Sequence, residues 1–311
     1  MKIGNKEFDM TNNHVYVMGI LNVTPDSFSD GGKYSDPDKA LRHAQQMIEE
    51  GADIIDIGGE STRPYFIPVS IQEEIARVTA VVEMVKERFD VPVSVDTYKP
   101  EVMAACLEAG ADLANDIWGL RHEVFNDKTN TEGRISRMAE VVARFDVPVV
   151  IMHNDSLGRN AEDRDEELIR SYAESTGVSF ERAKEQAQED NIIMRVFSGL
   201  EDSISIAKAH GIAEDKLILD PGIGFAKTQK ENLKVLKWMK EIGDFFEYPM
   251  FLGASRKSVI GNALDLPAEE REEGTIVTSI LAAEAGYKFV RVHDVKKNVR
   301  ALRMIETISQ V

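Results

Sequence analysis

The chain has 311 residues, 43% of them hydrophobic and 29% charged, with a formal net charge of -17. That is enough apolar material for a sizeable core, and the length fits either two average domains or one barrel of about 250 residues. The acidic balance argues against nucleic acid or an anionic membrane as a partner, since both need a basic surface; it leaves a small anionic substrate open, because a few convergent cations in a pocket outweigh a distant, screened field. Cys106 is the one cysteine, so no internal disulfide forms, which fits a reducing compartment. The opening MKIGNKEFDM lacks the apolar run of a signal peptide, and no stretch reaches the ~18 apolar residues of a membrane span. The expected location is the cytoplasm.

In chain order, Met1–Asn13 is expected to form a short hairpin over a barrel floor. Eight strand candidates follow: Val15–Asn22, Asp53–Gly59, Val91–Asp96, Ala111–Asp116, Val147–His153, Lys216–Asp220, Tyr248–Gly253 and Lys288–His293. They are short, rich in Val, Ile and Leu, and not strictly alternating, as strands buried on both faces of a parallel sheet are. Helical spacing fills the gaps. Asp36–Pro37 supplies an N-cap and an N1 proline, and Ser70 with Glu73 predicts a capping box ahead of Ile71, Ile75, Val78, Val82, Val85 and Phe89. Cys106 lies in a helical stretch, Glu101–Gly110, and is expected in the core. The last helix is expected over Val295–Ile308. Eight strand–helix units point to one closed (β/α)8 barrel domain over residues 1–311, with a helical insertion in the roughly 60 residues between His153 and Lys216.

Polar residues collect at the C-terminal ends of these strands. Asn22 ends the first, Glu60-Ser61-Thr62-Arg63 follows the second, Asp96 ends the third and Asn115-Asp116 the fourth. His153 ends the fifth, Asp220 the sixth, Ser255-Arg256-Lys257 follows the seventh, and Arg291 and His293-Asp294 close the eighth. A strand-end aspartate is often only a cap for the next helix, but eight polar ends on one face are not explained by capping, and this is the face where such barrels build active sites. Asp96, Asn115 and Asp220 suit a flat, donor-rich heterocycle, because a carboxylate accepts two parallel N–H bonds. Lys257, Arg291 and His293 come from the last two strands, the usual phosphate position. Gly31-Gly32 and Gly222–Gly224 allow close backbone approach to a ligand. Met152 and Phe225 read either as pocket walls or as core, His153 as a residue satisfying local backbone, and Arg256 as a surface or interface residue.

These motifs resemble the dihydropteroate synthase family over nearly the full length. Met18–Gly32 reads MGILNVTPDSFSDGG and Asp53–Pro64 reads DIIDIGGESTRP; SVDTYK, ND, LDPGIGF, GASRKS and RVHDV follow in order. The resemblance implies a pterin held by Asp96, Asn115, Asp220 and Lys257, with Arg291 stacked on it and touching the diphosphate, and His293 on the diphosphate. It implies Mg2+ and diphosphate on Asn22, and a p-aminobenzoate pocket from Thr62, Arg63, Pro64 and Ser255, with Lys257 beside it and Thr62 also touching the pterin diphosphate. Phe225 and Met152 would line the walls. Lys257, Arg291, His293 and Asp96 are the implied catalytic set, and a homodimer through the late helices, with Ile276, Ile280 and Leu281 available, is the implied assembly. Three departures fall on the p-aminobenzoate side: Tyr65, followed by Phe66, stands where the family has Gly, Ala226 stands in GFAKT for the family's GFGKT, and the segment after the fifth strand is long. A pterin-dependent methyltransferase would share the Asp and Asn clamp without needing STRP, SRK and RVH. A non-catalytic pterin-binding paralogue would be expected to lack a diphosphate cation.

Overall fold

The computed structural model describes residues 1–23, 36–60, 69–123, 135–154 and 191–311, with a few more between 170 and 184. The N-terminal hairpin pairs β1 (Lys2–Ile3) with β2 (Lys6–Glu7) in antiparallel register. Eight parallel strands follow: β3 (Tyr16–Asn22), β4 (Ile54–Gly58), β5 (Val93–Asp96), β6 (Leu113–Asp116), β7 (Val149–Met152), β8 (Leu217–Asp220), β9 (Phe251–Leu252) and β10 (Phe289–Val292). Each lies inside an expected strand. Their order is β8-β7-β6-β5-β4-β3-β10-β9. The ring closes where Leu219 bridges Met250 and the Leu219 N–H donates to the Pro249 carbonyl at 2.9 Å.

Ten helices are described outside the ring: α1 (Asp36–Glu49), α2 (Ile71–Arg88), α3 (Pro100–Glu108), α4 (Arg137–Phe145), α5 (Ile192–Ala209), α6 (Gln229–Lys237), α7 (Met239–Phe246), α8 (Ser258–Leu264), α9 (Glu272–Glu284) and α10 (Val295–Ser309). Half of the capping box expected on α2 forms: Ser70 Oγ accepts from the Glu73 N–H at 3.2 Å. The reciprocal half is missing because the Glu73 carboxylate pairs with Arg77 one turn on. A full box caps α6, where Thr228 and Glu231 satisfy each other's backbone N–H. Cys106 is fully buried, and burial pushes its thiol up to about 12, an inert core position as expected. Most of the expected insertion lies outside the described residues.

The period of two along each strand sorts side chains into two populations. One set faces the helices: Val17, Leu21, Ile55, Ile57, Val93, Val95, Ile151, Leu217, Leu219 and Val290 belong to the large outer core. The alternate set faces into the ring and forms a separate apolar cluster: Met18, Ile54, Leu113, Val150, Ile218, Phe251 and Phe289, closed from below by Ile3 and Phe8 of the hairpin. The Phe8 ring meets Tyr16 edge-on at 4.7 Å. The hairpin is therefore a plug, and the barrel is packed rather than hollow at this end. Two residues further along β4, β6, β8 and β10, the same inward face becomes polar.

Candidate active site

Starting from Ile54, Leu113, Ile218 and Phe289, a step of two residues arrives at Asp56, Asn115, Asp220 and Arg291. On β5 the same face carries Ser94 and then Asp96. Strand register brings these together: Asp56 stands opposite Ser94, and Asp96 opposite Asn115. Asp56, fully buried, is the centre of the group. Its Oδ2 receives the Arg291 Nε at 2.6 Å, its Oδ1 receives the Ser94 hydroxyl at 2.6 Å, and the Asn115 amide lies 3.4 Å from both oxygens. Arg291 also reaches Asp96, Nη2 to Oδ2 at 2.7 Å. Burial works against the Arg291 charge, but Asp56 and Asp96 outweigh it and hold its pKa above the ordinary value.

Asp96 has one engaged oxygen and one that is not. Its Oδ1 is buried with no hydrogen-bond partner among the described residues. Burial, with the Asp56 charge added and the Arg291 charge opposing, pushes its carboxyl up to about 7. A buried acceptor without a donor is costly; a ligand N–H at Oδ1 would relieve that cost. Asp220 is likewise raised by burial, with the Lys257 charge opposing; its Oδ1 takes the Gly222 N–H at 2.7 Å.

Lys257 is the N-cap residue of α8 and spans the gap to the β8 loop. Its Nζ donates to the Ile223 carbonyl at 2.6 Å and sits 4.4 Å from the Phe225 ring centre. Burial lowers its pKa to about 8, with Asp220 and Asp96 opposing and Arg291 assisting. The β8 loop is tight: Gly222 has φ +73°, and a Cβ there would lie 1.8 Å from the His153 carbonyl oxygen, so only glycine fits. Lys227 fastens the same turn, donating to the carbonyls of Gly222 at 2.8 Å and His153 at 3.2 Å. The His153 ring packs against α5, close enough that a Cβ on Gly199 would meet it at 2.5 Å. Burial and the charges of Lys227, Arg121 and Arg195 hold it well below its ordinary pKa, a neutral structural residue.

Ser255 sits against His293. Its Oγ lies 2.9 Å from Nδ1 and accepts the His293 backbone N–H at 3.2 Å. Arg256 faces away from the mouth, with Nε 3.3 Å from Glu272 Oε2 on α9. Met152 is buried beside Asp220 in the β7–β8 register. Asn22 ends β3 next to Gly58. Thr62, Arg63, Pro64 and Tyr65 lie outside the described residues.

A family model described as "Pterin binding enzyme" matches residues 18–293. The dihydropteroate synthase of Clostridium beijerinckii is 44% identical over 312 residues, covering 99% of each chain. The dihydropteroate synthase of Clostridium difficile, solved in the presence of pteroic acid, superposes with a TM-score of 0.77 at 39% identity, covering 99% of this chain and 98% of that one. The Yersinia pestis enzyme in a sulfonamide drug complex gives 0.79 at 36% identity, covering 100% and 99%.

The chain belongs to the dihydropteroate synthase family.

As a member it is a pterin-binding transferase of folate biosynthesis on a (β/α)8 barrel. Within this dihydropteroate synthase fold, one central residue escapes a reading of strand ends. Asp56 sits inside DIIDIGG, two residues short of the end of β4, and organises Arg291 from below. The detectable signal was phase: Ile54, Asp56 and Gly58 share one face, so a carboxylate occupies an inward position of a buried strand. Asp116, by contrast, faces outward and caps the β6 loop, accepting from the N–H groups of Trp118 at 2.9 Å and Leu120 at 2.7 Å. No helix among the described residues is long and apolar enough to cross a membrane.

Proposed function

We propose that this mouth condenses (7,8-dihydropterin-6-yl)methyl diphosphate with p-aminobenzoate, giving 7,8-dihydropteroate and diphosphate. The observation that carries the reading is the division of the mouth into an acceptor side and a cationic side. Asp96, Asn115 and Asp220 offer buried acceptors for the N–H edge of a pterin. Lys257 and Arg291, whose charges are felt at both Asp96 and Asp220, stand next to them, with His293 held by Ser255 at the same rim. A molecule with a guanidine-like edge and an anionic tail matches that order.

The C–O bond from the methylene to the diphosphate breaks, and its electron pair leaves on the diphosphate. The arylamine lone pair then forms the C–N bond, and the surplus amine proton goes to solvent. An arylamine is a weak nucleophile, so stabilising the leaving group contributes more than activating the amine. Lys257, Arg291 and His293 hold the developing negative charge, and Asp96 and Asp220 flank the pterin cation left behind. Asp56 aims Arg291; with Nε on Asp56 and Nη2 on Asp96, the guanidinium is fixed in one plane, suited to stack against a flat ring. Met152 and Phe225 wall the slot. Thr62, Arg63, Pro64 and Ser255 would receive p-aminobenzoate, with Thr62 also reaching the pterin diphosphate.

Mg2+ is the metal of this reading. No group of three His, Cys, Asp or Glu among the described residues could cage an ion. A single amide oxygen at Asn22 suits a cation that arrives with the diphosphate and keeps several waters, where it would neutralise leaving-group charge. The whole chain is taken as one cytoplasmic domain. Exposed apolar side chains on α9 and α10, Val277, Leu281, Met304 and Ile308, offer a face for a homodimer. Sulfonamides would compete for the arylamine site. The decisive experiment is diphosphate release from the purified protein with pterin diphosphate, p-aminobenzoate and Mg2+. Release that needs all three supports the reading, and none from a folded, pterin-binding protein would overturn it.

A further inference from the structure

We propose that Lys99 is a positioning residue for the second substrate, holding both stems of the β4–α2 connection against the strand that carries Asp96. The inference rests on the arylamine reading given above, since that connection includes Thr62, Arg63 and Pro64.

The chain leaves β4 through Gly59 and Glu60 and returns at Val69 and Ser70 before α2. Both stems meet one ammonium. Lys99 Nζ donates to Glu60 Oε2 at 2.7 Å on the outgoing stem and to the Val69 carbonyl at 2.8 Å on the returning one. Its third bond goes to Glu74 Oε2 at 2.7 Å in the first turn of α2. All three N–H donors of the ammonium are thus used. The two stems also bond directly, Val69 N–H to Glu60 Oε2 at 2.7 Å. Both polar atoms of the Val69 backbone therefore end in the same cluster.

Lys99 is itself anchored to the pterin side. It follows Asp96 by three residues, and its backbone N–H lies 3.3 Å from Thr97 Oγ1. Thr97 in turn donates its hydroxyl to Glu74 Oε1 at 2.9 Å. Lys99, Glu60 and Glu74 are all buried. Burial opposes the Lys99 charge, but the bonds to Glu60 and Glu74 prevail and hold its pKa above the ordinary value. An ion pair that only stabilised the fold could join any two elements. This one joins the two ends of a single connection and fixes them relative to Asp96. The bonds of Arg291 to Asp96 and of Thr97 to Glu74 do not involve the Lys99 ammonium, so the pterin contacts of Asp96, Asn115 and Asp220 should survive its loss, with Thr62 the one pterin diphosphate contact that shares the connection.

The test uses the full-length enzyme with Lys99→Met and Lys99→Arg. Lys99→Met should raise the Michaelis constant for p-aminobenzoate about tenfold or more, the scale of one lost bond to a charged group, and leave that for the pterin diphosphate within about twofold. Lys99→Arg keeps the charge and should recover part of the loss. Hydrogen exchange should show the Val69 amide losing protection in Lys99→Met while the strands of the barrel floor keep theirs. If Lys99→Met does not fold, Glu60→Gln, which keeps the shape and weakens the bond to Lys99, should shift the p-aminobenzoate constant alone. Equal shifts for both substrates, or no shift with an unchanged Val69 amide, would overturn the proposal. If the wild-type protein turns over no substrate, the arylamine reading fails on its own, and the Val69 exchange still decides the clamp.

Discussion

The two ends of the barrel interior are built on the same strands, in the same register and on the same face, yet they hold opposite chemistry. At the floor, Met18, Ile54, Leu113, Val150, Ile218, Phe251 and Phe289 pack against Ile3 and Phe8 with no polar side chain among them. One step of two residues higher, Asp56, Asn115, Asp220 and Arg291 take their places. Burial helps the first group and strains the second, because an apolar side chain gains from leaving water and a charge loses. The floor stabilises the fold; the mouth is tolerated because its groups are paired or await a ligand. Changes at the two ends should therefore be separable in experiment.

The largest effect is expected at the floor. Phe8→Ala removes the ring that plugs the barrel from below and should cost about 3–5 kcal/mol of stability, as large-to-small core changes do. The Michaelis constants of the folded variant should stay within about twofold of wild type, because Phe8 packs in the floor cluster, against Tyr16 and Phe289. Urea unfolding alongside turnover measures both. A variant that unfolds at the wild-type midpoint would show that the plug is not what holds the floor.

At the mouth the pattern should reverse. Lys257→Ala is expected to lower turnover about 100-fold, the scale of one lost electrostatic stabiliser, with stability unchanged or raised, since burial penalises this ammonium. Arg291→Ala should act on the same developing charge, so the double variant should lose less than the sum of the two. Full additivity would mean that they act at separate steps.

Titration sharpens the contrast, with a smaller effect. Asp96 is raised from 3.8 to about 7. The folded state thus holds its proton longer than the unfolded one, and the contribution of Asp96 to stability falls as pH rises from about 4 to 7. Lys257 is lowered from 10.5 to about 8. The unfolded state binds that proton more tightly, so stability recovers as pH rises from about 8 to 10.5. The free mouth is least favourable between about 7 and 8, where Asp96 is ionised and Lys257 still charged, the pair of states the chemistry needs. The kcat/KM for pterin diphosphate should accordingly trace a bell, rising near 7 and falling near 8, with roughly tenfold loss per pH unit outside it. Asp96→Asn should remove the stability loss on the acid side, and Lys257→Met the recovery on the alkaline side. A flat stability profile in both variants and in the wild type would contradict the placement of these charges.

The architecture was legible because the strands are short apolar runs, and polar residues at or beside the ends of four of them lie at the mouth: Asn22, Asp96, Asn115 and Asp220. What remained hidden lies where sequence distance or strand phase conceals a contact. Asp56 reads as one polar residue inside an apolar run; only anchoring the period of two on Ile54 and Gly58 turns it inward. Lys99 reads as the end of SVDTYK, and its carboxylate partners Glu60 and Glu74 are 39 and 25 residues away. Nothing local announces that one ammonium joins them. Ser255 is expected in the p-aminobenzoate pocket from its motif, and its hydroxyl is found on His293, a contact spanning 38 residues. The half-formed box on α2 has a local cause: Glu73 had two possible partners, and Arg77, a charge one turn away, prevailed over a neutral backbone N–H.

The smallest effect concerns the loop where floor-like and mouth-like demands meet. Ala226 has φ +51°, a conformation that costs an alanine about 1–2 kcal/mol and a glycine nothing. It stands where the family pattern carries Gly, directly after Phe225 and before Lys227, whose ammonium fastens Gly222. Ala226→Gly relieves the strain but loosens the unfolded chain by about 0.4–1 kcal/mol. The two terms oppose each other, and strain relief is the larger, so a net gain of up to about 1.6 kcal/mol is expected. Turnover should change little, because Lys227 holds the turn through carbonyls that the substitution leaves in place. Urea unfolding reads the sign. A destabilised Ala226→Gly would mean that the methyl group makes contacts worth more than the strain it causes, and the loop would then belong with the packed end of the barrel rather than with its strained mouth.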